Sequence, residues 1–173
     1  VAILAIRKSE IRSESMCFGI VIPKVENRDT LAISLSSEKY AERCPADTVL
    51  ARVFMGGAVR PELMDQSDET LLAIAIKESQ SLLGVTSPPM WQRLIRWNCA
   101  MPQYLIGHCD AVQDIRKNLE STKNLSIIGN AFDGVGIPQC IRLARTTAEK
   151  IANSFALSIL LLACLARSLY FSG

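Results

Sequence analysis

The residues with most chemical promise lie between Leu125 and Ile151, in LSIIGNAFDGVGIPQCIRLARTTAEKI. Gly129, Gly134 and Gly136 fall within eight residues. Glycine permits positive φ and lets a ligand approach the backbone closely. Pro138 follows, at a position where a helix's first turn tolerates proline because that N–H has no intrahelical partner. Such a helix start carries unpaired N–H groups and the positive end of the dipole, both of which favour negative charge. The chemistry on offer is therefore a turn that faces an anion or an electron-rich ring. An ordinary strand–turn–helix unit, with glycines serving only the turn, explains the same residues equally well.

Other reactive groups are sparse. His108 is the sole histidine, which leaves little room for a Ser-His-Asp triad. Nucleophile-elbow, zinc-protease and phosphate-loop patterns are absent. No metal site is expected, since Cys109 beside His108 has no partner at ligand spacing. Cys17, Cys44, Cys99, Cys109, Cys140 and Cys164 contain no CxxC pair. They fall in apolar segments and are read as buried, reduced thiols of a cytosolic protein. Arg60, Arg93 and Arg96 suit an acidic ligand, although scattered arginines usually face solvent. A net charge of +2 and the lack of a basic run argue against nucleic acid.

The elements that must position these groups follow from periodicity. At 173 residues with 49% hydrophobic and 21% charged residues, the chain can build a core. Val1–Arg7, Phe18–Val25, Thr30–Ser36 and Val49–Met55 read as strands, the second and third joined by the polar turn Glu26–Asp29. Their short connections predict antiparallel pairing. Between the N-cap Ser67 and the stop at Gly84, Leu72, Ala75, Ile76, Ser79, Leu82 and Leu83 trace a helical face. Met90–Trp97 returns to the sheet. Gly107–Leu119 reads as a helix with Val112, Ile115 and Leu119 as its stripe. Leu125, Ile127 and Ile128 predict a short buried strand. After the glycine turn, Ile137, Ile141, Ala144, Ala148 and Ile151 form one helical face.

The tail from Ile151 to Ala166 has 16 residues without a charge. As a helix it would span about 24 Å, short of the roughly 30 Å hydrocarbon core. A continued core helix, an interfacial anchor and a non-native end all fit it. The chain opens directly in the apolar run VAILAIRK, which is read as entry into a domain partway along a longer protein.

Three motifs carry a resemblance: RVFMGGAVRPEL (Arg52–Leu63), RWNCAMPQYLIGH (Arg96–His108) and GNAFDGVGIPQCI (Gly129–Ile141). Their order and spacing resemble the C-terminal part of the bacterial protoporphyrinogen/coproporphyrinogen oxidases, FAD flavoproteins of haem biosynthesis in the amine-oxidase superfamily. The likeness spans about Val1 to Ala152. It implies an α/β (α+β) partial oxidase fold: the antiparallel sheet of the substrate-binding domain in 1–105, and the C-terminal strand and helix of the FAD-binding domain in 106–153. The tail, 154–173, has no counterpart.

By that likeness Gly134, Val135, Gly136 and Ile137 lie against the isoalloxazine ring of FAD, and Trp97 matches a tryptophan that contacts the cofactor. A helix N-terminus would stabilise the negative charge of a reduced flavin. The implied reaction removes six electrons from a porphyrinogen in three two-electron steps. Molecular oxygen reoxidises the flavin, giving hydrogen peroxide. No catalytic acid or base is identified.

The departures matter too. The nine glycines never form GxGxxG, so the half that grips the nucleotide is expected in a missing N-terminal part. Gln139 stands where the family often has aspartate. The expected partners are a porphyrinogen and oxygen, in the cytoplasm, with peripheral membrane contact open to the tail. Two other readings compete: a non-catalytic truncated remnant, and a desaturase-type relative with another substrate.

Overall fold

The computed structural model describes residues 1–12, 14, 16–122 and 125–170, with the side chains of the last helix described to residue 154. The chain forms two compact units, Val1–Ala100 and Met101–Gly173.

The first unit is a five-stranded antiparallel sheet with one helix on it. Its strands are β1 (Ala2–Arg7), β2 (Gly19–Val21), β3 (Thr30–Leu35), β4 (Thr48–Met55) and β5 (Trp91–Leu94), and the order across the sheet is β2-β3-β4-β1-β5. Alternation decides which face is buried. Ala2, Leu4 and Ile6 of β1, Ile33 and Leu35 of β3, and Val49, Ala51 and Val53 of β4 point to one face and are almost fully buried. Helix α2 (Asp68–Leu83) covers that face with Leu71, Ala75, Ser79 and Leu83. A single helical turn, α1 (Ser36–Lys39), follows β3.

The limits of α2 follow from its end residues. Ser67 accepts the Thr70 N–H at 3.2 Å, and Gly84 closes the helix in the left-handed region at φ +64°. Each device satisfies groups that the helix ends leave open. The strand expected over Phe18–Val25 is shorter than its sequence suggests. Pro23 has no N–H for a ladder, and Lys24–Glu26 winds into a 3₁₀ turn ended by Asn27 at φ +48°.

The second unit contains α3 (His108–Leu119) and α4 (Ile137–Tyr170). One expectation fails here. Leu125–Ile128 is not a strand. A strand exists by sharing ladder hydrogen bonds, and no described segment pairs with this one. The face Ile137, Ile141, Ala144, Ala148 and Ile151 lies on α4 as its period implies, and it is exposed, with Ile137 at 75% and Ile141 at 63%. The half-buried residues of α4 are instead Cys140, Leu143 and Thr147. On α3, Val112 is buried but Ile115 is exposed.

The backbone of α4 continues unbroken through the apolar tail to Tyr170. The tail's side chains lie outside the described residues. Among the described residues no helix is long and apolar enough to cross a membrane. The cysteines also depart from expectation: Cys17, Cys99 and Cys109 are exposed, while Cys44 and Cys140 are half-buried. Apolar neighbours in sequence did not bury them, because they fall on loops or outward helix positions.

Candidate functional site

The glycine turn between Gly129 and Ile137 is held from one side by the segment that precedes α3. Gly129 and Gly134 take φ of +142° and +131°, values that a side chain disfavours. Phe132 donates its N–H to the Gly129 carbonyl at 3.2 Å, which folds the first half of the turn. The Tyr104 hydroxyl bridges the second half. It accepts the Gly134 N–H at 2.8 Å and donates to the Asn130 carbonyl at 2.6 Å.

The Tyr104 ring stacks on His108, with centroids 4.0 Å apart and planes 10° from parallel. The Nε2 of His108 lies 3.1 Å from the Phe132 carbonyl, so it must carry the proton to donate there. Arg116 of α3 pairs with Asp133, and the carboxylate raises the guanidinium pKa further above its ordinary value. The last two of the three sequence motifs therefore meet in space, MPQYLIGH serving as the strut for GNAFDGVGIPQC.

That strut leaves one edge of the turn open. The Cys140 N–H closes the first turn of α4 onto the Gly136 carbonyl at 3.1 Å. Among the described residues, no hydrogen bond involves the backbone N–H of Val135, Gly136 or Ile137. Pro138 has no N–H to add. The first turn of α4 contains no acidic residue, so no carboxylate of that turn offsets the positive end of its dipole. Val135 is half-exposed at 50%, beside an exposed Ile137. Gln139 folds back over the glycines, where a Cβ on Gly136 would lie 2.2 Å from its Oε1.

These residues fit the edge of a flavin ring: unpartnered donors, an uncompensated dipole, and apolar side chains beside them. They contain nothing to grip a dinucleotide. Gly134, Val135, Gly136 and Ile137 thus stand together in the second unit. Trp97, the fifth residue singled out from the sequence, belongs to the first unit, past the end of β5, and is 66% exposed.

The structure also sorts the three arginines considered as anion binders. Arg96 is spent on Asp68 Oδ1 at 2.8 Å and on the carbonyls of Met64 and Gln66 at 2.8 and 2.6 Å. Arg60 pairs with Asp29 and Glu62 and donates to Asn27, tying the β2–β3 connection to the loop after β4. Among the described residues Arg93 has no such partner. Sequence reasoning missed Tyr104, His108 and Asn130 as supports. The four-residue spacing of Tyr104 and His108 hinted at a pair, but their partners lie more than twenty residues further on.

Comparison with known proteins gives these geometries a context. Residues 4–152 match the model of the family described as flavin containing amine oxidoreductase. A coproporphyrinogen III oxidase of Mycobacterium bovis is 36% identical over 138 residues, covering 80% of this chain and 30% of that protein. A chloroplastic protoporphyrinogen oxidase of Nicotiana tabacum is 26% identical over 140 residues, covering 79% and 26%. Among solved structures, a protein from Exiguobacterium sp. 255-15, provisionally named a protoporphyrinogen oxidase, superposes with a TM-score of 0.72 at 25% identity. That match covers 87% of this chain and 33% of the other. The chain spans about 30% of the length of curated relatives such as the Mycobacterium bovis enzyme.

Proposed function

The chain belongs to the flavin containing amine oxidoreductases, and from that premise we propose that it forms the C-terminal part of an FAD-dependent porphyrinogen oxidase of haem biosynthesis. Residues 1–105 form part of the substrate domain and 106–153 part of the FAD domain. The substrate is protoporphyrinogen IX or coproporphyrinogen III, and oxygen is the terminal acceptor. One porphyrinogen and three oxygen molecules give one porphyrin and three hydrogen peroxide molecules, so six electrons and six hydrogens balance.

The observation that supports this reading most is the open turn at Gly134–Ile137, backed by Tyr104 and His108. Bound flavin supplies the two-electron acceptor chemistry. The chain's own part is electrostatic and steric. The free N–H groups of Val135, Gly136 and Ile137 hold negative charge at the start of α4 without reorganising, which is how preorganised donors lower a barrier. Val135 and Ile137 exclude water from the ring edge. The role of Trp97 rests on the resemblance alone and is tested by its own substitution. His108 acts as a strut, because its Nε2 is engaged with a backbone carbonyl.

The 173-residue polypeptide is expected neither to retain flavin tightly nor to turn over, because it has no nucleotide-gripping glycine fingerprint. The test is to purify it, measure bound flavin by absorbance, and assay porphyrinogen oxidation, alone and fused behind a family FAD-binding half. Turnover in the fusion alone supports the reading. Stoichiometric flavin and oxidation by the isolated polypeptide would refute the division of labour. A fusion that binds flavin but oxidises only another substrate class would favour the desaturase-type alternative.

A further inference from the structure

The first unit buries one face of its sheet under α2, and among its described residues no long helix covers the other. Pairing register places the residues of that second face. Ile3 stands opposite Arg52 of β4 and opposite Arg93 of β5, and Arg52 stands opposite Ser34 of β3. Ser34, Arg52, Ile3 and Arg93 thus form one row across four strands. The neighbouring rows bring Ala5 with Leu50 and Trp91, and Ala32 with Phe54. Arg7 lies further along β1 on the same side.

The charges on this face are one-sided. None of the five strands contains an aspartate or glutamate, and their only basic residues, Arg7, Arg52 and Arg93, all point to this face. Arg52 and Arg93 are exposed, and neither makes an ion pair or hydrogen bond among the described residues. Arg52 rests over the Phe54 ring at 5.1 Å from its centroid, a contact that steadies a guanidinium without consuming its donors. Half-buried Ile3 lies between the two cations, and half-buried Ala5 and Leu50 form the neighbouring row. With neighbouring strands about 4.8 Å apart, the two arginine Cα atoms are separated by about 10 Å.

An apolar strip flanked by unpaired guanidinium groups complements a flat apolar ring with carboxylates at its rim. We propose that Arg52 and Arg93 bind peripheral carboxylates of the tetrapyrrole substrate, with Ile3, Leu50 and Phe54 under the ring. This rests on the porphyrinogen reading above and sharpens it. Guanidinium pairs with carboxylate in a bidentate geometry, so a substrate with more rim carboxylates gains more from this face.

The experiment measures binding of three stable porphyrins to the 173-residue chain by fluorescence titration: the tetracarboxylate coproporphyrin III, the dicarboxylate protoporphyrin IX and the uncharged etioporphyrin. Arg52→Gln and Arg93→Gln are each expected to weaken coproporphyrin about fivefold, and the double variant more than tenfold. Etioporphyrin binding should not change. Arg145→Gln, on exposed α4, is the charge control and should leave all three unchanged. Circular dichroism verifies that the variants fold, as expected for exposed side chains. Saturable coproporphyrin binding that survives the double variant overturns the assignment while leaving the porphyrinogen reading standing. If the parent chain binds none of the three, the assignment of this face falls, and turnover by the fusion still decides the porphyrinogen reading on its own.

Discussion

Replacing Tyr104 with phenylalanine removes one oxygen and keeps the ring that stacks on His108. The lost hydroxyl holds two bonds, from the Gly134 N–H at 2.8 Å and to the Asn130 carbonyl at 2.6 Å. A neutral hydrogen bond contributes about 0.5–1.5 kcal/mol net. Tyr104 is 41% exposed, so water can replace part of each bond, and the low end applies: about 1 kcal/mol for the pair. That energy is local, since it fastens the turn to the segment before α3 and not to the sheet. The opening equilibrium of the turn should rise about fivefold. The assay is amide hydrogen exchange resolved by residue. In Tyr104→Phe the Gly134 amide should exchange about five times faster, while the α2 amides, in the other unit, keep their rates. Unchanged exchange at Gly134 would refute the strut. Faster exchange throughout α2 as well would mean that the hydroxyl supports global stability instead.

Other expectations follow from single residues. Gly134→Ala forces a side chain into φ +131° and into Gln139 Cγ at 3.0 Å, so the turn should loosen by about 1–3 kcal/mol. Gly136→Ala meets only the flexible end of Gln139 most closely, so exchange at Val135 and Ile137 should change less than in Gly134→Ala. The Ser79 hydroxyl is buried on α2 with no partner among the described residues; Ser79→Ala should raise stability in urea by about 1 kcal/mol, as a desolvated polar group is removed and helix propensity improves. Glu69 has its pKa lowered from the ordinary 4.5 by its own backbone N–H and then by Ser67. Its contribution is therefore present above pH 4.5 and lost as pH falls through the lower folded value; Glu69→Gln should flatten that acid limb in a denaturation series, and an unchanged limb would count against it. The exposed row Ile137, Ile141 and Ile151 should drive self-association, so Ile141→Glu should shift the sedimentation profile towards monomer.

Local grammar made much of the fold legible. Ser67, Gly84 and the spacing between them define α2, because capping and periodicity act within a few residues. Alternation in β1, β3 and β4 predicted the strands. Where sequence reading failed, the missing information was a neighbour. Leu125–Ile128 has the composition of a strand, yet strand formation depends on a partner edge that local sequence does not encode. The stripe from Ile137 to Ile151 has helical period and forms helix, but periodicity specifies which residues share a face, not whether that face is covered.

The same division holds for the sites. Glycine spacing and Pro138 by themselves determined a turn into a helix start, since those residues restrict φ and remove an N–H wherever they stand. Only tertiary structure decided that Tyr104 would bridge Gly134 and Asn130, because that bond joins groups about thirty residues apart. Tertiary structure likewise separated three arginines of equal promise. Arg60 and Arg96 fold onto carboxylates and carbonyls close to them in space, while strand register sets Arg93 beside Ile3 and in line with Arg52. A guanidinium is the same ion in each case; what it can bind depends on which acceptors the fold has already given it.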